Sequence, residues 1–219
     1  MSDVHIRTFV ARGFEQNAYL VWQADGPAAV AIDPGGQAGA MADAIRDAGL
    51  TLDAILLTHA HIDHVEGVPE LVRRTQASVH LHAADAPLYA RVADQAAMFG
   101  MKPLTLPPVD RELTHGQRLD LAGLSFEVRH VPGHSPGHVI LVLASAGVAF
   151  VGDVVFRASI GRTDLPGGDF AQLVGGIRRQ VFSLPDDTTL YPGHGPPTSV
   201  GHERATNPFL IPHHGGGLA

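Results

Sequence analysis

The sequence has no cysteine among its 219 residues. That excludes disulfide scaffolding and every thiolate-held metal, so a metal would fall to histidine, aspartate or glutamate. Charge is sparse, at 17% of residues, and the balance is acidic, with a formal net charge of −7 and no basic run. Nucleic acid and anionic membrane surfaces are therefore not expected partners. No stretch is apolar enough for a signal peptide or a membrane span, which makes the cytoplasm the expected compartment. Linkers, low-complexity tracts and residue-level repeats are also missing. The chain is 45% hydrophobic, enough for a sizeable core, and 1–219 is expected to form a single domain. Nothing in the sequence bears on oligomeric state.

What the chain has in excess is histidine, 14 residues of it. Three fall in Thr58-His59-Ala60-His61-Ile62-Asp63-His64, directly after the apolar run 52–57. A buried strand does not end in several imidazoles and a carboxylate without compensation, because desolvating them is costly. A metal removes the difficulty. His59 and His61, two apart, could share one ion from an extended loop. Asp63 and His64, adjacent, could be aimed at a second by a turn. A His-rich polar surface loop is the bland alternative.

The same pattern recurs along the chain. Strands are expected at 4–10, 19–22, 28–32, 52–57 and 79–81, and helices at 41–48, from Val68 onward and at 85–97. The run at 28–32 stops at Asp33, either a turn residue or a carboxylate bracing the metal loop. His80 and His82 read as ordinary strand-end histidines. Segment 98–110 is a long Pro-rich loop in which Met98, Phe99 and Met101 look exposed. It either covers a binding site or tucks its side chains into the core. Hairpins are expected at 117–131 and 138–151, the first ending towards His134, the second in Asp153. A helix over 170–181 has Asp169 as its N-cap, and Gly175-Gly176 would permit close packing. Strand 189–191 runs into Pro192-Gly193-His194, a helix is expected near 202–206, and no role is expected for His213 or His214. Ligand-type residues thus stand at strand ends, where open α/β sheets place their sites.

These residues carry a resemblance. THAHIDH at 58–64, PGHSPGH containing His134, VGD ending in Asp153 and YPGHG containing His194 resemble, in that order, the metallo-β-lactamase superfamily over nearly the whole chain. The resemblance implies an α/β fold, a four-layer αββα sandwich of two mixed β-sheets packed face to face, with helices outside and a metal site at one edge. GRTDLPGG at 161–168 and ERATNPFL at 203–210 are similar to the glyoxalase II (hydroxyacylglutathione hydrolase) group, in its short single-domain form. Carried over position by position, a first ion would take His59, His61 and His134, and a second Asp63, His64 and His194, with Asp153 bridging. Two divalent ions are implied, with zinc the first expectation and iron or manganese the alternatives. Asp63 would also orient the nucleophile, with Asp33 and His138 as braces. Cysteine-using lactamases have Cys where Asp153 stands, so antibiotic hydrolysis of that type is not expected. Nor is the C-terminal helical domain that helps longer glyoxalase II enzymes hold glutathione. Where those enzymes have a Lys and a Tyr, this chain has Arg162 and Asp164. Arg162 is the expected substrate-binding residue, since a guanidinium can fork onto a carboxylate.

The activity implied is hydrolysis of a small-molecule thioester such as S-lactoylglutathione by a metal-bound hydroxide. The alternative is a persulfide dioxygenase of the same superfamily, with a single iron on residues matching His59, His134 and Asp153. A non-catalytic metal-binding module is third, because it has no need of so many ligands.

Overall fold

The computed structural model describes residues 3–211, so His213 and His214 lie outside the described residues. The first half builds a six-stranded sheet in chain order: β1 (Val4–Val10), β2 (Asn17–Gln23), β3 (Ala28–Ile32), β4 (Thr51–Leu56), β5 (Ser78–His82) and β6 (Arg111–Leu113). β1 to β3 are antiparallel, whereas β3 to β6 run parallel. Parallel neighbours need crossovers, and these carry α1 (Ala38–Asp47), α2 (Ile62–Val65), α3 (Val68–Thr75), α4 (Ala86–Ala90) and α5 (Val92–Met98).

The second half builds a sheet of order β14-β13-β10-β9-β8-β7. Its strands are β7 (Arg118–Leu121), β8 (Leu124–His130), β9 (Val139–Leu143), β10 (Val148–Gly152), β13 (Thr189–Pro192) and β14 (Thr198–Ser199). A small hairpin, β11 (Val155–Phe156) and β12 (Ser159–Ile160), follows β10; α6 (Phe170–Gly176) and α7 (Val200–Thr206) complete the half. Asp169 caps α6 by accepting from the Gln172 amide at 2.9 Å. Gly176 is the glycine that permits close approach, since a Cβ there would press on Val131, while Gly175 faces only the Arg179 side chain.

Side-chain alternation turns these strands into four layers. In β3, Ala29 and Ala31 face the helices, whereas Val30 and Ile32 face the opposite sheet. β4 follows the same rule through an irregularity at Asp53, where pairing slips between Ala29 and Val30. Leu52 and Ile55 therefore both face the helices although three apart, and Ala54 and Leu56 face the other sheet. Between the sheets lie Tyr19, Val30, Leu56, Phe126, Leu141 and Phe150, and a third cluster joins Ile140 and Val151 to Leu173 and Ile177 of the outer helical layer. This is the expected αββα sandwich.

Several elements differ from expectation: the helix expected over 170–181 is α-helical only to Gly176 and continues as a wider π-turn over Ile177–Val181, and β6 and the β11–β12 hairpin are additions. The helix expected over 85–97 is two helices broken at Arg91, whose φ of −97° and ψ of 22° leave the helical region. Gln95 satisfies a carbonyl at the end of the first by donating from Nε2 to Leu88 O at 3.0 Å. Segment 98–110 divides. Met98 and Phe99 stay exposed, whereas Met101, which looks exposed in the sequence, packs with Leu104, Leu106 and Val109 against the helical side of the first sheet.

Candidate metal centre

The candidate ligands sit where strands of both sheets end. β4 leads into His59 and His61, and the single-turn α2 carries Asp63 and His64. His134 lies in the β8–β9 connection, Asp153 follows β10, and His194 follows β13. Three groups of ligand atoms converge, each within 4.8 Å: Asp33, His59 and His64 in one, and, matching the two expected ion sites, His59, His61 and His134 in a second and Asp63, His64 and His194 in a third. Asp153 lies between the last two. Its Oδ1 is 3.3 Å from His64 Nε2, and its Oδ2 is 3.5 Å from His134 Nε2 and 3.6 Å from His194 Nε2. Asp63 Oδ2 is 3.1 Å from His194 Nε2.

The imidazoles are aimed from behind. His64 Nδ1 is 3.0 Å from Asp33 Oδ2, His134 Nδ1 2.8 Å from the Arg162 carbonyl, and His194 Nδ1 3.1 Å from the Phe14 carbonyl. An acceptor at Nδ1 fixes the proton there and leaves the Nε2 lone pair facing the cluster. Asp33, at a positive φ of 48°, also accepts from Thr58 N and Thr58 Oγ1, which ties the end of β3 to the histidine loop. His138 Nε2 accepts from the Asp153 amide at 3.0 Å, and its ring stacks on His59.

Electrostatics fit a cation at this point. Burial, followed by neighbouring imidazoles, holds His59 and His138 well below the usual histidine range and lowers His61 to about 4. Burial opposes charge on Asp63 and Asp153 too, yet the neighbouring histidines, His64 foremost, outweigh it and keep both carboxylates ionised. The carboxylates in turn push the pKa of His64 and His194 up against the pull of burial. A divalent ion would supply the positive charge that these carboxylates favour. His59 Nε2, His64 Nε2 and Asp153 Oδ1 are buried without a hydrogen-bond partner, and an ion among them would satisfy all three. His61 Nδ1 and His134 Nε2, 2.8 Å apart, likewise present two nitrogens to one point. The residues therefore fit divalent transition metals, with nitrogen and oxygen donors and no sulfur.

Several supporting residues carry no distinct sign in the sequence. Asp85, fully buried, accepts from Ala60 N at 2.9 Å, Ser135 Oγ at 2.8 Å and Gly137 N at 2.6 Å, so one carboxylate clamps the two loops bearing His59, His61 and His134. Gln95 accepts from Ile62 N and donates to Ala60 O. Asn17 and Tyr19 donate to the Pro192 carbonyl and anchor the His194 loop to the first sheet. ERATNPFL acquires a physical reading here: Glu203 accepts from Ala158 N, and Asn207 donates to Ser159 O. Both hold the β11–β12 hairpin that leads into Arg162.

A cleft of about 500 Å³ opens on the cluster. His61, Asp63, His134, Asp153 and His194 form its floor, with Phe14, Leu88, Met98, Phe99, Leu165 and Arg162 around it. Arg162 pairs with Asp164 through two hydrogen bonds of 2.7 and 2.8 Å, both side chains largely exposed. His80 and His82 stand apart. His80 is buried beside Ser78, and His82 accepts from Ala84 N and stacks on His130.

The sandwich and its strand-end histidine and aspartate cluster define a class of metal-dependent enzymes, mostly hydrolases. A family model described as "Metallo-beta-lactamase superfamily" matches residues 11–194, and the chain belongs to that superfamily. It is 37% identical to hydroxyacylglutathione hydrolase GloC of Haemophilus influenzae, over 94% of this chain and 98% of that one. Among solved structures, it matches the BLEG-1 B3 metallo-beta-lactamase at TM-score 0.86 and 37% identity, covering 95% of this chain and 100% of that one. It also matches TTHA1623, crystallised in a di-iron-bound form, at TM-score 0.85 and 43% identity, covering 93% and 100%. Among the described residues, no helix is long and apolar enough to cross a membrane.

Proposed function

We propose that this chain is a metallohydrolase that cleaves thioesters, S-lactoylglutathione among them. Two divalent ions would be held, one by His59, His61 and His134 and the other by Asp63, His64 and His194, with Asp153 shared. The observation that carries this reading is Asp153, whose two oxygens face the two groups at 3.3 and 3.5 Å. Near-full-length similarity to GloC supports the thioester, and similarity to TTHA1623 in its di-iron form supports two ions. Zinc is the first candidate, with iron and manganese as alternatives. When bound, such a pair supplies acidification of water to near neutral pH and polarisation of a carbonyl oxygen.

The chain's own residues do the rest. Asp63, ionised and on the cleft floor, accepts a hydrogen bond from the attacking water and turns its lone pair towards the carbonyl carbon. Asp33, acting through His64, and the carbonyls of Arg162 and Phe14, acting through His134 and His194, hold the rings in one tautomer. His138 holds the Asp153 backbone. Arg162 leaves its exposed pair with Asp164, a contact of small worth, to receive a substrate carboxylate. Water adds to the carbonyl carbon, the carbon–sulfur bond breaks, and sulfur departs with its electron pair. A thiolate needs no prior protonation, so the cleft wall need supply no general acid. A net charge of −7 suits a small-molecule substrate in the cytoplasm better than nucleic acid or a membrane.

The test is S-lactoylglutathione hydrolysis by protein prepared without chelators, with oxygen uptake on glutathione persulfide measured in parallel. Hydrolysis without oxygen uptake is expected. Oxygen uptake without hydrolysis would replace the reading with the mononuclear-iron persulfide dioxygenase, for which His59, His134 and Asp153 suffice. Metal binding with neither activity would leave a binding module.

A further inference from the structure

The side chains of one wall of the cleft have no part in the chemistry above. Phe14 and Phe99 meet edge to face with ring centroids 5.1 Å apart, and Leu88 and Met98 continue the surface. Met98 is 77% and Phe99 58% exposed, although Met101 and Leu104, a few residues on, are packed inward. Large apolar side chains left side by side in water mark a surface that something apolar covers. The charges nearby point the same way. Arg91 Nε sits 3.1 Å from Asp94 Oδ2, so the arginine next to Leu88 already has a carboxylate and offers no free charge to what lies on this wall. Whatever covers the wall must also reach Asp63, Asp153 and His194 in the same cleft, which calls for a small molecule. A volume of about 500 Å³ suits one.

We infer that, given the thioester-hydrolase reading above, the wall of Phe14, Leu88, Met98 and Phe99 seats an uncharged, apolar acyl arm. The preferred substrates are thioesters of aliphatic or aryl acids, ahead of the small polar lactoyl group. Arg162, whose carbonyl holds His134, is left for the thiol arm. The products are an apolar carboxylate, the free thiol and one proton, with a single water consumed.

The test uses the metal-loaded enzyme and S-acylglutathiones that differ only in the acyl group: lactoyl, acetyl, butanoyl and octanoyl. kcat/KM for octanoyl should exceed that for acetyl by about tenfold or more, the scale on which an apolar pocket discriminates methylenes. Phe99→Ser and Met98→Ser should each lower the octanoyl-to-acetyl ratio, by about tenfold in combination. Both positions are exposed, so neither change should unfold the protein. The same acyl series on N-acetylcysteamine decides the question if glutathione is not the carrier. Hydrolysis with a flat or falling chain-length profile in both series overturns the acyl-arm assignment alone. No hydrolysis of any thioester overturns the hydrolase reading and this inference with it. Sedimentation of wild type and Phe99→Ser covers the rival occupant: a dimer that the substitution splits would make the wall an interface between copies and overturn the assignment.

Discussion

Replacing Asp85 with Ala tests whether the two metal-bearing loops are held together by one buried carboxylate. The side chain accepts three hydrogen bonds, from Ala60 N, Ser135 Oγ and Gly137 N, at 2.6 to 2.9 Å. Bonds to a charged acceptor are worth about 1.5–3 kcal/mol each, but the three share one group and do not add. The carboxylate also carries a desolvation cost. Burial pushes its pKa up even though Gly137, Ser135 and Ala60 pull it down. Alanine removes that cost but leaves two buried backbone N–H groups and a hydroxyl unpaired, so the net loss should be about 3–5 kcal/mol. Asp85→Asn keeps an accepting oxygen for part of the network and should lose less, about 1–3 kcal/mol. Urea unfolding of the chelator-treated proteins measures both. Because Ala60 lies between His59 and His61 and Ser135 follows His134, metal content should fall in the same order. A loss below about 1 kcal/mol for Ala, or full metal content in that variant, would refute the clamp.

Asp153→Ala should abolish hydrolysis and lower metal content, whereas His213→Ala and His214→Ala should change neither; elemental analysis and rate assays on the same preparations decide. Arg162→Ala should raise KM for S-lactoylglutathione several-fold with kcat nearly unchanged, the sign of lost uniform binding. An equal loss on an uncharged small thioester would instead mean that Arg162 holds its loop through Asp164. Gly193→Ala should strip metal and activity together, because its Cβ would overlap Asp153 Oδ1 and crowd the His64 ring. Circular dichroism showing an intact fold would localise that damage to the site.

Most strands were legible because they are apolar runs that stop abruptly at histidine, aspartate or glycine, and buried strands do not end that way without a function; their assembly into a sandwich followed only from the resemblance carried by the motifs at those ends. His59, His61, Asp63 and His64 share one heptapeptide, so their convergence needed little long-range information. Asp85 was not legible. It reads as the first residue of the helix expected over 85–97, and only the approach of the turn after β5 to the β8–β9 loop brings it to Ser135 and Gly137. The break at Arg91 escaped for a related reason: 85–97 is uniformly good helix material, and its division follows from where Gln95 finds partners in Ala60, Ile62 and Leu88. Met101 differs from Met98 and Phe99 only through which side of the chain meets the core, a distinction that periodicity does not carry in an irregular segment. β6 is three residues long and pairs only at the sheet edge, too short to show alternation.

The most direct test of the central claim, that Asp153 joins two ions into one centre, is the ratio of metal to protein in chelator-free wild type and in Asp153→Asn. The account predicts a ratio close to two in the wild type and a clear fall in the variant, since the shared carboxylate serves both groups. A wild-type ratio close to one, all of it iron and unchanged in the variant, would contradict it.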